Sequence, residues 1–243
     1  MVNQIEINLP KLDRHFHGYC IVQISDIHIG TWINRSRLSG IIDLVNEFEP
    51  DLVAITGDFV TFDPHRFFKD LSENLMKLSP RDASVAVLGN HDHWTDAGVI
   101  REVLHNSSII DLSNKVITLH RGNTTLHIAG VDDTIEGLDR LDLVQQQIPK
   151  DEAAILLVHE PDLADYSAAT GKFGLQLSGH SHGGQIQIPF IGPPLLPPHG
   201  QKYPSGLYQI NGMSLYTNRG VGTAFLQLRW NCPPEISIFT LKS

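Results

Sequence analysis

Polar and apolar positions alternate over residues 3–9 (QIEINLP), which predicts a half-buried strand. Residues 19–25 (YCIVQIS) are almost continuously apolar and β-prone, as expected of a strand covered on both faces. The spacing then changes. Leu38, Ile41, Ile42, Val45 and Phe48 recur at helical intervals behind Asn34 or Ser36 as cap, and Pro50 stops the helix over 34–48. A buried strand over 51–56 (DLVAIT) comes next, then a helix over 65–78 carrying Phe68, Leu71, Leu75 and Leu78, then a strand over 84–88 (SVAVL). Strand, helix, strand, helix, strand is the pattern of a parallel sheet with crossover helices.

The middle of the chain reads differently. Residues 108–111, 115–120 and 124–130 predict short strands separated by Ser-Asn and Gly-Asn turns, followed by a helix over 138–147. AAILLVH (153–159) and FGLQLSGH (173–180) return as buried strands. The last third, with GGQIQI, GLYQIN, SLYTN and EISIFTL, is strand-rich and punctuated by Gly and Pro. No linker, repeat or low-complexity tract interrupts the series. The elements predict one α/β domain over residues 1–243, built from two packed mixed β-sheets with helices outside.

Composition narrows the function. The chain has 243 residues, 41% apolar and 19% charged, which is ordinary globular usage. A net charge of -9 argues against a broad or sequence-specific nucleic-acid surface, which needs clustered Lys and Arg. Cys20 and Cys232 are too few for a disulfide framework and lack metal-site spacing, so both read as core residues. The opening MVNQIEINLPKL has neither a basic start nor an apolar h-region, and no apolar run approaches the ~20 residues of a membrane span. A cytoplasmic or membrane-peripheral location is therefore expected. Thirteen histidines are the figure that calls for an explanation.

Many of them sit where predicted strands end. Ser25-Asp26-Ile27-His28, Gly57-Asp58, Gly89-Asn90-His91-Asp92, His159 and Gly179-His180-Ser181-His182 each follow a buried run. Ligands of α/β sheets bind beyond the carboxyl ends of strands. Taken singly, each block reads as turn chemistry or a satisfied core histidine. Together they would bring two Asp, one Asn and five His from five strand ends to one place, which favours a dinuclear metal site. Imidazole and carboxylate donors suit Mn, Fe, Co, Ni or Zn better than Ca or Mg.

The ordered blocks D-x-H, GD, GNHD, H and GHxH resemble the calcineurin-like metallophosphoesterase superfamily, from Asp26 to His182. GHSHGGQI, the Pro-rich segment after it, GLYQING, YTNRGVGT and RWNCPPEISIFTL are similar to the bacterial phosphodiesterase subfamily that contains YaeI and YkuE, over roughly residues 3–241. Relatives there often begin with a membrane anchor or export signal, whereas this chain starts after that point. The resemblance implies a four-layer sandwich of two sheets and flanking helices. It also implies two divalent transition-metal ions: one on Asp26, His28 and His182, the other on Asn90, His159 and His180. Asp58 would bridge them through its two carboxylate oxygens. A hydroxide between the ions would attack phosphorus in line. His91 would protonate the leaving oxygen or bind a phosphoryl oxygen, with Asp92 orienting its ring. His93 is adjacent but outside the pattern. Arg219 reads equally as a phosphate ligand or as half of a structural ion pair.

The implied activity is a phosphodiesterase. The alternatives are a phosphomonoesterase, a nuclease, a pyrophosphatase on a lipid-linked nucleotide sugar such as UDP-2,3-diacylglucosamine, and a non-catalytic metal-binding scaffold. Six prolines fall between Pro189 and Pro204. Gly183–Ile188 is expected to leave the metals as a short strand. Residues 189–198 then form a semi-rigid loop carrying Phe190, Ile191, Leu195 and Leu196. Those side chains either cap the core edge or form an apolar lip for a lipid-linked substrate or a membrane surface.

Overall fold

The computed structural model describes residues 1–224 and 226–243. Its first sheet contains, in spatial order, β1 (Val2–Asn8), β12 (Ile236–Lys242), β2 (Cys20–Ile24), β3 (Leu52–Thr56), β4 (Ala83–Val87) and β5 (Ile110–Asp111). The second contains β10 (Gly206–Ile210), β11 (Met213–Thr217), β9 (Leu175–Ser178), β8 (Ala153–Leu157), β7 (Thr124–Gly130) and β6 (Lys115–Arg121). Both sheets are mixed. β2, β3, β4 and β5 run parallel, as do β7, β8, β9 and β11, while β12 meets β2, β6 meets β7 and β10 meets β11 antiparallel.

Strand alternation explains the layers. Ile21, Leu52, Ala54, Val85 and Val87 point between the sheets to meet Leu126, Ile128, Ile155, Leu157, Leu175 and Leu177. The opposite faces of β2–β4 carry Val22, Ile24, Val53, Ile55 and Ala86. These pack under α1 (Arg35–Glu47), α2 (Phe68–Leu75) and α4 (Ala97–Asn106) through Leu38, Ile42, Leu71, Val103 and Leu104. On the far side, Ala154, Leu156 and Leu215 are covered by Val144 of α5 (Leu141–Gln146) and Ala164 and Ala168 of α6 (Ala164–Ala169). The predicted two-sheet α/β sandwich is thus the fold observed.

Local chemistry sets the boundaries. The Asn34 side chain accepts from Arg37 N–H at the start of α1, as its cap position predicts. The helix expected over 65–78 splits into a 3-10 turn at Pro64–Phe67 and α2 proper. Three helices were not anticipated: α3 (Asn90–Thr95), α4 and α6. The strand expected over Gly183–Ile188 does not form. His182, Gly183, Gly184 and Gln185 all have φ between 51° and 74°, so the chain turns left-handed there and only isolated bridges follow, at Ile186 and Ile188. No helix among the described residues is long and apolar enough to cross a membrane.

Candidate metal centre

The loops that leave β2, β3, β4, β8 and β9 converge at one edge of the sandwich, and they belong to both sheets. Buried hydrogen bonds lock the two sheets together beneath the site. Gln23 Nε2 donates to Thr56 Oγ1 (2.9 Å) and to the Ser178 carbonyl (3.0 Å). His180 N–H donates to both Asp26 oxygens at 3.1 and 3.2 Å. Asp26, His28, Asp58, His180 and His182 all adopt positive φ, between 46° and 68°, a region unfavourable for non-glycine residues. Gly89 supplies clearance: a Cβ there would lie 2.7 Å from His159 Nε2.

Two groups of donor atoms share Asp58. One is Asp26, His28, Asp58 and His182; the other is Asp58, His159 and His180. Within each, the donor atoms lie within 4.8 Å of one another, and all six residues are buried. Asp58 Oδ2 is 3.3 Å from both His28 Nε2 and His159 Nε2, while Oδ1 accepts the His91 N–H at 3.0 Å. Asp58 is thus the residue common to both groups, with Oδ2 among the histidines and Oδ1 also held by the backbone. His182 Nε2 lies 3.3 Å from Asp26 Oδ1 and 3.1 Å from His28 Nε2.

The donor set fits divalent cations on its own chemistry. His159 Nδ1 donates to the Thr56 carbonyl (2.6 Å) and His180 Nε2 to the Pro198 carbonyl (2.8 Å). Their inward nitrogens, lone pairs whenever the rings are neutral, face each other at 3.2 Å. Asn90 Oδ1 is buried with no hydrogen-bond partner. Facing lone pairs, an orphaned amide oxygen and buried carboxylates are what a cation would satisfy.

A family model of calcineurin-like phosphoesterases matches residues 20–184. The chain belongs to this family. It is accordingly a metal-dependent phosphoester hydrolase. Across 235 residues it is 37% identical to the metallophosphoesterase YkuE of Bacillus subtilis (strain 168), spanning 94% of this chain and 80% of that one. It is 31% identical to the phosphodiesterase YaeI of Escherichia coli (strain K12), spanning 91% and 81%. A 5'-nucleotidase precursor from Thermus thermophilus superposes with a TM-score of 0.54 at 15% identity, covering 82% of this chain and 48% of that one. That likeness concerns the fold alone.

Set against the motif pattern of this phosphoesterase family, one expected role changes, and of the two readings of Arg219 the structural one is seen. Asp92 does not orient the His91 ring. Its Oδ1 accepts from Phe59 N–H (2.8 Å) and Val60 N–H (3.4 Å), and its Oδ2 from Asp58 N–H and Gly89 N–H (3.0 Å each). Asp92 lies on the first turn of α3 and clamps the Gly57–Val60 loop instead. Arg219 is not among the described residues lining the cavity beside the donors. Its Nε lies 3.7 Å from the buried Glu235 carboxylate, so the ion-pair alternative is the one seen. His93 turns away to Asp132 Oδ1 at 2.8 Å.

Charge in the phosphoesterase site is sharply divided. Burial opposes ionisation of Asp58, but the adjacent His159 and His28 outweigh it and hold the carboxyl well below the usual range. Burial, then the charge of His159, pushes His180 down to about 4. Burial, then His28 and Arg229, holds His182 well below its ordinary value. Burial opposes charge on His159 too, but Asp58 beside it outweighs this and holds the imidazole well above its ordinary value. Neutral His180 and His182 beside an anionic Asp58 suit metal binding, and the His159 proton is one that a cation would displace. His91 is lowered by burial, with Asp58 pulling the other way.

A cavity of about 500 Å³ opens directly onto Asp58, Asn90, His91, His180 and His182. Its outer wall is Trp94, Ile135, Leu195, Leu196 and Leu226, and no Lys or Arg is among the described lining residues. Trp94 is fixed by its Nε1 donating to Glu136 (2.7 Å). Sequence reasoning missed Trp94 and Ile135 because single apolar residues in polar loops carry no periodicity. It also missed Arg229, whose Nη2 lies 3.2 Å from His182 Nδ1.

Proposed function

We propose that the chain is a phosphodiesterase working with two divalent transition-metal ions. Asp26, His28 and His182 would hold one ion and Asn90, His159 and His180 the other, with Asp58 between them. The observation that carries this reading is the pair of donor groups sharing Asp58 at the floor of an open cavity. Ions held there supply Lewis acidity and a nucleophile available at neutral pH. The protein's own residues do the rest. The imidazoles keep their donor nitrogens inward through bonds to Thr56 and Pro198. The His91 ring, edge-on to His28 at 4.8 Å between centroids, stands at the cavity wall. There it can pass a proton to the leaving oxygen.

The test pairs elemental analysis with a leaving-group series. Wild type should carry two ions per chain. His91→Ala should keep both and lose turnover by about 10²- to 10⁴-fold on alkyl diesters, but far less on nitrophenyl diesters, whose leaving group needs no proton. Equal losses on both would leave His91 as a phosphate ligand only.

The cavity favours a substrate with an apolar arm. A nucleotide diphosphate would bring further charge against a wall with no Lys or Arg among its described residues, so a lipid-linked diester suits it better than a nucleotide-sugar pyrophosphate. Next to that wall, Phe190 is fully exposed and Ile191 and Leu195 largely so. The loop 189–198 is therefore our candidate for peripheral membrane contact, where burying two such side chains would contribute roughly 3–6 kcal/mol at most. The double variant Leu195→Ser, Leu196→Ser should lose activity on a lipid diester in vesicles and retain it on a soluble one. Equal activities with unchanged vesicle binding would refute the lip.

A further inference from the structure

The segment RWNCPPE stands out in the sequence without an obvious chemical task, and Arg229 gives it one. Its Nη2 donates to the carbonyls of Gly222 (2.6 Å), Arg219 (2.7 Å) and Gly220 (3.2 Å). Nε donates to Gly222 (2.9 Å) and Nη1 to Cys232 (3.3 Å). One guanidinium thus gathers the 219–222 loop and the start of the final strand's approach. That loop lies on the first ligand block: Val221 N–H donates to the Ser25 carbonyl (2.9 Å) and Gly222 N–H to the Asp26 carbonyl (2.8 Å). A Cβ at Gly222 would meet the Asp26 carbonyl at 2.6 Å, so the packing there has no slack.

The same Nη2 abuts His182 Nδ1 at 3.2 Å. At His159 and His180 the outer ring nitrogen faces a carbonyl; at His182 it faces a cationic donor. Arg229 therefore bears on Asp26 through the loop and on His182 directly. It makes no hydrogen bond to Asn90, His159 or His180. With Nε2 turned toward the other donors, Nδ1 of neutral His182 carries the ring proton, which a guanidinium cannot accept, so Arg229 acts on His182 by position and charge and on Asp26 through the loop. Removing the outer partners of metal ligands typically changes metal affinity 10- to 100-fold.

We infer that Arg229 is a positioning residue for one metal subsite only: the Asp26–His28–His182 subsite depends on it and the Asn90–His159–His180 subsite does not. The inference rests on the two-metal reading above. The test titrates chelator-treated, metal-free full-length protein with Mn²⁺, reading free Mn²⁺ by EPR, for wild type, Arg229→Met and Arg229→Lys. Met keeps the apolar stem and loses all donors. Lys keeps the charge, but one ammonium cannot span carbonyls on both sides of the loop. Wild type should bind two ions. Arg229→Met should bind one ion as wild type does and the other about 10- to 100-fold more weakly, with Arg229→Lys weakened at the same single site. Excess Mn²⁺ should restore much of the turnover, a rescue that a collapsed fold would not show. Two ions bound by Arg229→Met with wild-type affinity, or equal weakening of both, would overturn the proposal. If Arg229→Met melts when metal-free, the Lys variant is judged by the same criterion. A wild type that takes up a single ion would sink the two-metal reading and this proposal with it.

Discussion

Gly89→Ala probes the site with the least confounding. Gly89 has φ -115° and ψ 175°, an extended conformation in which alanine is comfortable, so backbone strain plays no part. The added methyl is the whole perturbation. It would press on Asp58 Oδ1 and lie 2.7 Å from His159 Nε2 and 2.8 Å from Asp58 N, at least roughly 0.7 Å inside the ~3.5 Å of a favourable contact. Neither neighbour can recede freely. His159 is buried with Nδ1 held by the Thr56 carbonyl, and Asp58 N–H is held by Asp92. Overpacking of this kind costs about 1–3 kcal/mol. Removing a glycine from the unfolded chain returns about 0.4–1 kcal/mol. The net loss of roughly 0–2.6 kcal/mol is a drop in melting temperature of about 10 °C at most for a chain of this size. The functional effect should be far larger, since moving a reacting group by about 1 Å can cost on the order of 10²-fold in rate. Melting of the metal-free protein, metal content, and turnover of bis(4-nitrophenyl) phosphate separate the two effects. Full metal content with activity within threefold of wild type would show that the loops relax around the methyl and that the donors are not rigidly placed.

A contrasting glycine lies in α1. Gly40 is exposed, and a Cβ there meets nothing within 4 Å, so Gly40→Ala should stabilise the fold by about 0.5–1 kcal/mol in urea melts without altering turnover; a loss of stability would refute the helix placement. His93 offers a pH signature. Its hydrogen bond to Asp132 raises its pKa, so the pair's contribution is fully present below about pH 6.5 and is lost as pH rises through the folded value. His93→Gln should therefore lower the stability read from urea melts most at pH 5–6, by on the order of 1 kcal/mol, and progressively less in alkaline buffer. A difference independent of pH would mean that the pair is not charged in the folded state.

What could be read in advance follows from where information is local. The strands β2, β3, β4, β8 and β9 are covered on both faces, so each is written as an apolar run, and the ligand blocks after them are equally plain. Asn34 declares the start of α1 because capping is a contact within three residues. The helix at Asn90–Thr95 was hidden because its polar residues serve the site, which erases helical periodicity. Ile100, Val103 and Leu104 alone mark the buried side of α4, too few to announce it. Asp92 shows the limit most clearly. Spacing placed it beside His91, but whether a carboxylate turns to an imidazole or to four backbone N–H groups is settled by the path of a loop some thirty residues earlier. Arg229 is legible only once its distant neighbours in space are known.

The left-handed backbone at Asp26, His28, Asp58, His180 and His182 has a bearing on protein engineering. Each of these side chains stands where glycine would relieve about 1 kcal/mol of steric conflict. Glycine would not be a free remedy there, because each of the five side chains is buried and would leave a void, and the Asp26 and Asp58 carboxylates also hold the His180 and His91 N–H groups. Thermostable variants of this chain should accordingly be sought in α1 and at the sheet edges, since at the loop tips relief of the backbone removes both a packed side chain and a metal donor.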